Sequence, residues 1–321
     1  MRLIGGELEF KNDGIFSYIT DSGRSSLKLL LSGALRNKKF LLPDFLCEVI
    51  LWVFDEYHVD YSFYKVNVDL TIDTDSIKNN EFDAIYIINY FGQKNNDVSQ
   101  IIDPDILVVE DCVFSPIVEK PSNINNWIGF NSFRKISYLA DGSIIKSTMK
   151  LDESVVNRNE PEFSALKYEA KKIKYEFIYE GRHSEKQYLA LFEKAEKCID
   201  AQKNVHSISE RSTICLYDFM RNLINEYSLR RNNYGVLDLY FKNINIKIKS
   251  DYYSHYILFI ENRDELRKHL FDKKIFLPIH WPRVDGLHNV LYEKIISIPV
   301  YSNYSQSDME TIARYVLDFI N

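Results

Sequence analysis

Short apolar runs alternate with helix-patterned segments over the first half of the chain, and that alternation leaves few folds open. Phe40–Pro43, Val59–Val66, Phe82–Tyr90, Ile106–Val109, Trp127–Phe130 and Ser143–Lys146 read as strands. Leu27–Ala34 and Phe45–Phe54 carry apolar residues at helical spacing, and Ser22 precedes the first of them as an N-cap. Nearly continuous apolar strands separated by helices predict a mostly parallel sheet covered on both faces, an α/β architecture. Residues 1–20 lack a period and read as an irregular arm.

The character changes near Pro161. Glu162–Tyr179 and Ser184–Lys203 are long, charged and helical, and Ile208–Tyr234 continues as helix until the Asn232-Asn-Tyr-Gly235 cluster stops it. Strands follow at Ile244–Ile248, Tyr256–Ile260 and Ile295–Val300, with helices at Arg263–Phe271 and Asp308–Ile320. The expected organisation is a large domain over 1–205 and a smaller α+β domain over 206–321.

A net charge of −6 on 321 residues gives no reason to expect nucleic acid or an anionic membrane as a partner. Cys47, Cys112, Cys198 and Cys215 form no CxxC pair, which excludes the common zinc spacings and fits free thiols in a reducing cytoplasm. No stretch approaches 18 uncharged apolar residues and the N-terminus has no apolar leader, so a soluble, cytoplasmic protein is expected.

Two residues carry the chemistry. Ile106–Cys112 is an apolar run that ends in Glu110 and Asp111, and Lys135 sits between the Trp127–Phe130 run and an Ala140-Asp-Gly142 turn. A strand-end carboxylate and a lysine on the next loop are what a pyridoxal phosphate site needs: Asp111 to hold the pyridine nitrogen protonated, Lys135 to form the Schiff base and shuttle the proton. Taken alone, each is more commonly a capping Asp or a solvated Lys, so the rest of the chain decides. Ligands of open α/β sheets sit at the carboxyl ends of strands. Ser22-Gly-Arg-Ser-Ser26, Asn89-Tyr90 and Ser132–Lys135 fall there. The first offers backbone N–H groups, hydroxyls and a helix N-terminus to a phosphate, although a Ser/Gly turn before a helix is usually only a cap. Arg134 is either a second cation for that anion or half of a surface ion pair.

These segments occur in a recognisable order. Ser22-Gly-Arg-Ser25, Leu41-Leu-Pro-Asp-Phe-Leu-Cys47, Phe91-Gly-Gln93, Val108-Val-Glu-Asp111 and Ser132-Phe-Arg-Lys135 with Asp141-Gly142 resemble the DegT/StrS sugar aminotransferases, pyridoxal phosphate enzymes of fold type I. The similarity is greatest to a shorter branch whose lysine segment reads SxRK and then (P/A)DG. Ile208–Thr213, Arg230–Tyr234, Leu277–Trp281 and Ile296–Pro299 continue the resemblance, and 150–205 matches least. It implies an aspartate-aminotransferase-like large domain and a ping-pong transfer of an amino group from an amino acid such as glutamate to a keto sugar. The sugar would be nucleotide-linked, and its product would serve surface-polysaccharide or related sugar biosynthesis. Lys135 would bear the cofactor and Asp111 would face its ring nitrogen. Gly23, Arg24, Ser25 and Ser132 would bind its phosphate, and Cys47 would lie where an aromatic ring usually stacks. His280, Asn89, Tyr90 and Arg134 would approach substrate. A homodimer is implied, with the helices between 160 and 235 as its interface.

Two positions depart from the family. Phe114 stands three residues after the Asp, where Gln or His commonly bonds the cofactor's phenolic oxygen, and Asn89 replaces a frequent His. Phe114 keeps open a different outcome on the same cofactor, such as a sugar dehydration, and a non-catalytic protein on the same fold is the remaining alternative.

Overall fold

The computed structural model describes residues 13–320 except 34, 79, 95–97 and 99. The first half builds a seven-stranded sheet. In chain order its elements are β1 (Phe16–Thr20), α1 (Gly23–Ser32), β2 (Phe40–Pro43), α2 (Glu48–Glu56), β3 (Tyr61–Tyr64), β4 (Ala84–Ile88), β5 (Leu107–Asp111), β6 (Trp127–Phe130), α3 (Phe133–Ile136) and β7 (Ser143–Ser147). The strand order is β1-β7-β6-β5-β4-β2-β3. Strands β2 to β6 run parallel. Every residue of β2, β4 and β5 is buried, as a central strand covered on both faces requires.

The edge departs from expectation. Residues 16–20 form a strand rather than part of an irregular arm, because Phe-Ser-Tyr-Ile-Thr pairs antiparallel with β7 from Phe16↔Ser147 to Thr20↔Ser143. Residues 1–12 of that arm lie outside the described residues, as does Ala34 at the expected end of α1. β7 itself runs antiparallel to β6. The four-residue α3 between them cannot carry the chain back to the other end of the sheet, as a parallel crossover would need.

Helix α1 begins where its sequence says. Ser22 is extended, and its Oγ accepts the Ser25 N–H at 3.2 Å, a cap worth about 1 kcal/mol. The chain goes outward from β2 to β3 and returns to β4 on the other side of β2. That reversal opens a crevice at the carboxyl ends of the strands.

Beyond β7 come β8 (Val156–Asn157), α4 (Glu162–Glu180), α5 (Glu185–Ala201) and β9 (Val205–His206). The α4–α5 hairpin turns at Gly181, whose φ of 65° suits glycine. α6 (Glu210–Arg221) and α7 (Leu223–Phe241) replace the single helix expected over 208–234, with the break at Asn222. α7 also runs straight through the Asn-Asn-Tyr-Gly cluster. Leu237 and Phe241 are buried in the second core, and Asn233 Nδ2 donates to the carbonyls of Tyr301 and Tyr304 at 3.0 Å, so tertiary contacts override the local stop signal. The chain ends with β10 (Asn245–Ile246), β11 (His255–Phe259), α8 (Arg263–Asp272), α9 (Leu291–Lys294), β12 (Ile295–Pro299) and α10 (Gln306–Ile320). β10, β11 and β12 form an antiparallel sheet whose core takes residues from Leu237 to Val316. Among the described residues, no helix is long and apolar enough to cross a membrane.

Candidate active site

The crevice gathers residues that are remote in sequence. Gly23 and Arg24 from the start of α1, Cys47 ahead of α2, Asp111 at the end of β5, and Ser132, Arg134 and Lys135 around α3 all line one cleft. Gly23 is glycine for a steric reason. A Cβ there would come within 3.2 Å of Val113 Cγ1 and 3.3 Å of the Asn131 carbonyl, so the helix N-terminus can press against the ends of β5 and β6.

Lys135 is held by the short α3. The residue is half-buried, and its Nζ makes no hydrogen bond or ion pair among the described residues and lies 5.3 Å from the centre of the Phe114 ring. Burial pushes its pKa below the usual lysine value; nearby Arg134 adds to this, while Cys47 and Asp111 oppose it. Such a lysine is a better nucleophile and base at neutral pH than one in water. The turn behind it is fixed from α6: Asp141 accepts the Ser209 N–H at 2.9 Å and the Ser209 hydroxyl at 3.0 Å. Gly142 has a φ of 107°, and a Cβ there would stand 2.8 Å from Ile208 Cδ1. The Asp-Gly pair therefore serves to place α3.

Asp111 is buried, and both carboxylate oxygens have a donor. Oδ1 accepts the Val113 N–H at 3.0 Å, and Oδ2 accepts the Tyr86 hydroxyl at 2.7 Å. Burial still raises its pKa, against the Tyr86 bond and the Lys135 charge.

Other expected residues take different places. Ser25 is buried beside the cleft, where its Oγ accepts Gln202 Nε2 at 3.2 Å. Arg24 donates from Nη1 to the Ile199 carbonyl at 2.7 Å and from Nη2 to Asp200 at 2.8 Å. Arg134 pairs with Glu196 at 3.3 Å, and Glu196 also accepts from Lys167. Among the described residues, the Nε groups of both arginines are buried without a hydrogen-bond partner. Asn89 does not line this cleft. Its Nδ2 donates to Cys112 Sγ at 3.2 Å, in a separate cleft that it shares with Glu110. Tyr90 donates to the Phe45 carbonyl within an aromatic cluster that includes Trp281. His280 also stands back from the cleft wall. Its Nδ1 lies 2.6 Å from Ser297 Oγ and its ring packs edge-on against Phe114, while burial and the Lys135 charge push its pKa down to about 3.

Sequence reasoning missed Tyr86 and Trp281, which line the cleft, and Glu196 and Asp200, which reach its arginines. Tyr86 had a signal. It is the polar-tipped residue of an aliphatic strand, and the β4–β5 register sets Ile88 opposite Asp111, so Tyr86 shares the face of the carboxylate.

The donor set fits pyridoxal phosphate. The start of α1 and two guanidinium Nε–H groups unpartnered among the described residues suit a phosphate, Asp111 suits a protonated ring nitrogen, and Lys135 has no competing partner among those residues.

No family model and no curated protein matches the sequence. Solved structures do share the fold. A DegT DnrJ EryC1 StrS aminotransferase from Brucella abortus is 16% identical with a TM-score of 0.63, over 94% of this chain and 85% of that one. The putative sugar aminotransferase Spr1654 of Streptococcus pneumoniae in its PLP form is 13% identical with a TM-score of 0.66, over 95% and 88%. The GDP-4-keto-6-deoxymannose-3-dehydratase ColD with bound GDP-perosamine is 16% identical with a TM-score of 0.61, over 94% and 88%. The chain is therefore built on the fold of the DegT/DnrJ/EryC1/StrS aminotransferases.

Proposed function

We propose that the chain is a pyridoxal-phosphate-dependent aminotransferase that moves an amino group from an amino acid, with glutamate the first candidate, to a nucleotide-linked keto sugar. The observation that carries this is the meeting of Lys135 and Asp111 in one cleft at the sheet's switch point, each with chemistry suited to the cofactor. The fold of the sugar aminotransferases supports the substrate class. Bound there, pyridoxal phosphate supplies an electron sink for the carbon that carries the transferred nitrogen.

This chain's residues do the rest. Gly23 N–H, Arg24, Ser132 and Arg134 hold the phosphate end, and Asp111 keeps a proton on the ring nitrogen. Lys135, whose burial eases loss of its own proton, would bear the cofactor and, once the donor's amine has displaced it, would take and return the proton of the donor carbon. Trp281 and Phe130 line the cleft and would keep water from the reacting atoms. Phe114 favours a second reading, a dehydration on the same cofactor: it places a ring that donates no hydrogen bond beside Lys135, and the dehydratase ColD shares the fold. The half-reaction tests the first of the two. An aminotransferase loaded with cofactor and mixed with glutamate releases one oxo acid per chain without any sugar present. Oxo acid below the detection limit with every common amino acid tried would sink the aminotransferase.

The working form in this proposal is a homodimer in the cytoplasm. Ile214, Tyr217 and Ile224 on α6 and α7 support it, with exposures of 63%, 66% and 85%, as do four free cysteines.

A further inference from the structure

We infer that Tyr86 is a positioning residue that orients Asp111 and keeps it ionised, and so sets the charge on the cofactor's ring nitrogen. The inference rests on the cofactor reading given above and adds a residue to it. Tyr86 lies in the middle of β4, is wholly buried, lines the cleft and donates its hydroxyl to Asp111 Oδ2 at 2.7 Å. With Val113 N–H on Oδ1, one lone pair of each oxygen is taken from within the sheet. The lone pairs that remain can face the cleft.

The tyrosine is also the source of this hydroxyl's direction. It packs against Phe54 at 6.2 Å and Phe130 at 6.4 Å between ring centres, so the phenol cannot swing away. Its position matters more here because Phe114, whose ring centre lies 5.3 Å from Lys135 Nζ, has no hydrogen bond to offer the site. Control of the ring's electronics then falls on the Tyr86–Asp111 axis. Without the hydroxyl, burial favours the neutral acid at Asp111, the proton leaves the ring nitrogen, and the electron sink weakens.

The test is a pH titration of the visible band of the bound cofactor in wild type, Tyr86→Phe and Tyr64→Phe. Tyr64 is the internal control: its buried hydroxyl donates to the Tyr86 carbonyl at 3.1 Å and does not touch Asp111. Loss of the ring's positive charge makes the neighbouring nitrogen on the same conjugated system more basic. The band's midpoint should therefore rise by about one pH unit or more in Tyr86→Phe and stay put in Tyr64→Phe. Turnover at saturating substrate should fall about tenfold or more in Tyr86→Phe, with KM little changed. A normal wild-type titration with Tyr86→Phe superimposed on it overturns this inference alone. An equal shift in both variants overturns it too, by making the effect one of packing. A wild type without a visible band overturns the cofactor reading and this inference together.

Discussion

At Asp111 stability and function pull in opposite directions. Burial raises the pKa of its carboxyl, and the bonds from Tyr86 and Val113 only partly offset that. A raised folded-state pKa means that the native state binds more protons than the unfolded one, so this group's contribution to stability falls as pH rises through the folded value. Above it, the ionised carboxylate is a cost that the apo-protein carries for its site. Asp111→Asn keeps the shape and an acceptor and removes the charge. The variant should melt about 1–3 °C higher than wild type at pH 8 without cofactor, while transamination falls at least about a hundredfold. Differential scanning fluorimetry and a steady-state assay read the two effects. A lower melting temperature would show that the carboxylate stabilises the fold and was placed for structure.

Among the elements, α3 cannot stand alone. Four residues make no stable helix, so its position comes from its neighbours. Asp141 ties it to α6, Arg230 Nη2 and the Tyr252 hydroxyl reach the Ile136 carbonyl at 2.7 and 2.9 Å, and Lys171 of α4 donates to the carbonyls of Tyr138 and Leu139 at 2.9 and 3.0 Å. Burial pushes the pKa of Lys171 down to about 7, aided by the charges of Lys167, Arg134 and Lys174. The unfolded chain then binds more protons than the native one between about 7 and 10.5, so this lysine makes stability rise with pH over that window. Chemical denaturation at several pH values should show the rise, and Lys171→Met should flatten it. A slope that survives in Lys171→Met would place its origin elsewhere. These anchors also mark how far the sequence could be read. Asp141-Gly142 was visible as a turn after the lysine, but its partner Ser209 lies on an element 68 residues away. The helical stop at Asn232–Gly235 was a sound local signal that Leu237, Phe241 and Asn233 outvoted through contacts in the second core.

On the scale of the molecule, the central strands were legible because burial on both faces demands unbroken apolar runs, as in Ala84–Ile88 and Leu107–Val109. The edge was not. Phe16–Thr20 is four-fifths exposed or half-buried, so it carries no such run, and its pairing with β7 depends on a partner far along the chain. The cleft divides the same way. Lys135, Asp111 and the start of α1 stood at predictable strand and helix ends, whereas Asn89 and Tyr90 share a strand end with them and still point elsewhere, into Cys112 and Phe45. Trp281, from beyond α8, closes the wall by a tertiary contact that no local pattern announces. Gly23, Cys47, Asp111, Lys135 and Trp281 come from five separate stretches of chain, and their meeting in one cleft is the reason to read that cleft as a cofactor site. The most direct measurement is the visible absorption of the purified protein after addition of pyridoxal phosphate and removal of the excess, beside Lys135→Ala. Wild type should hold a visible band through gel filtration that borohydride abolishes, leaving the cofactor bonded to a peptide that contains Lys135, and Lys135→Ala should show none of this. A wild type that emerges colourless, or an alanine variant that is labelled like wild type, would contradict the account.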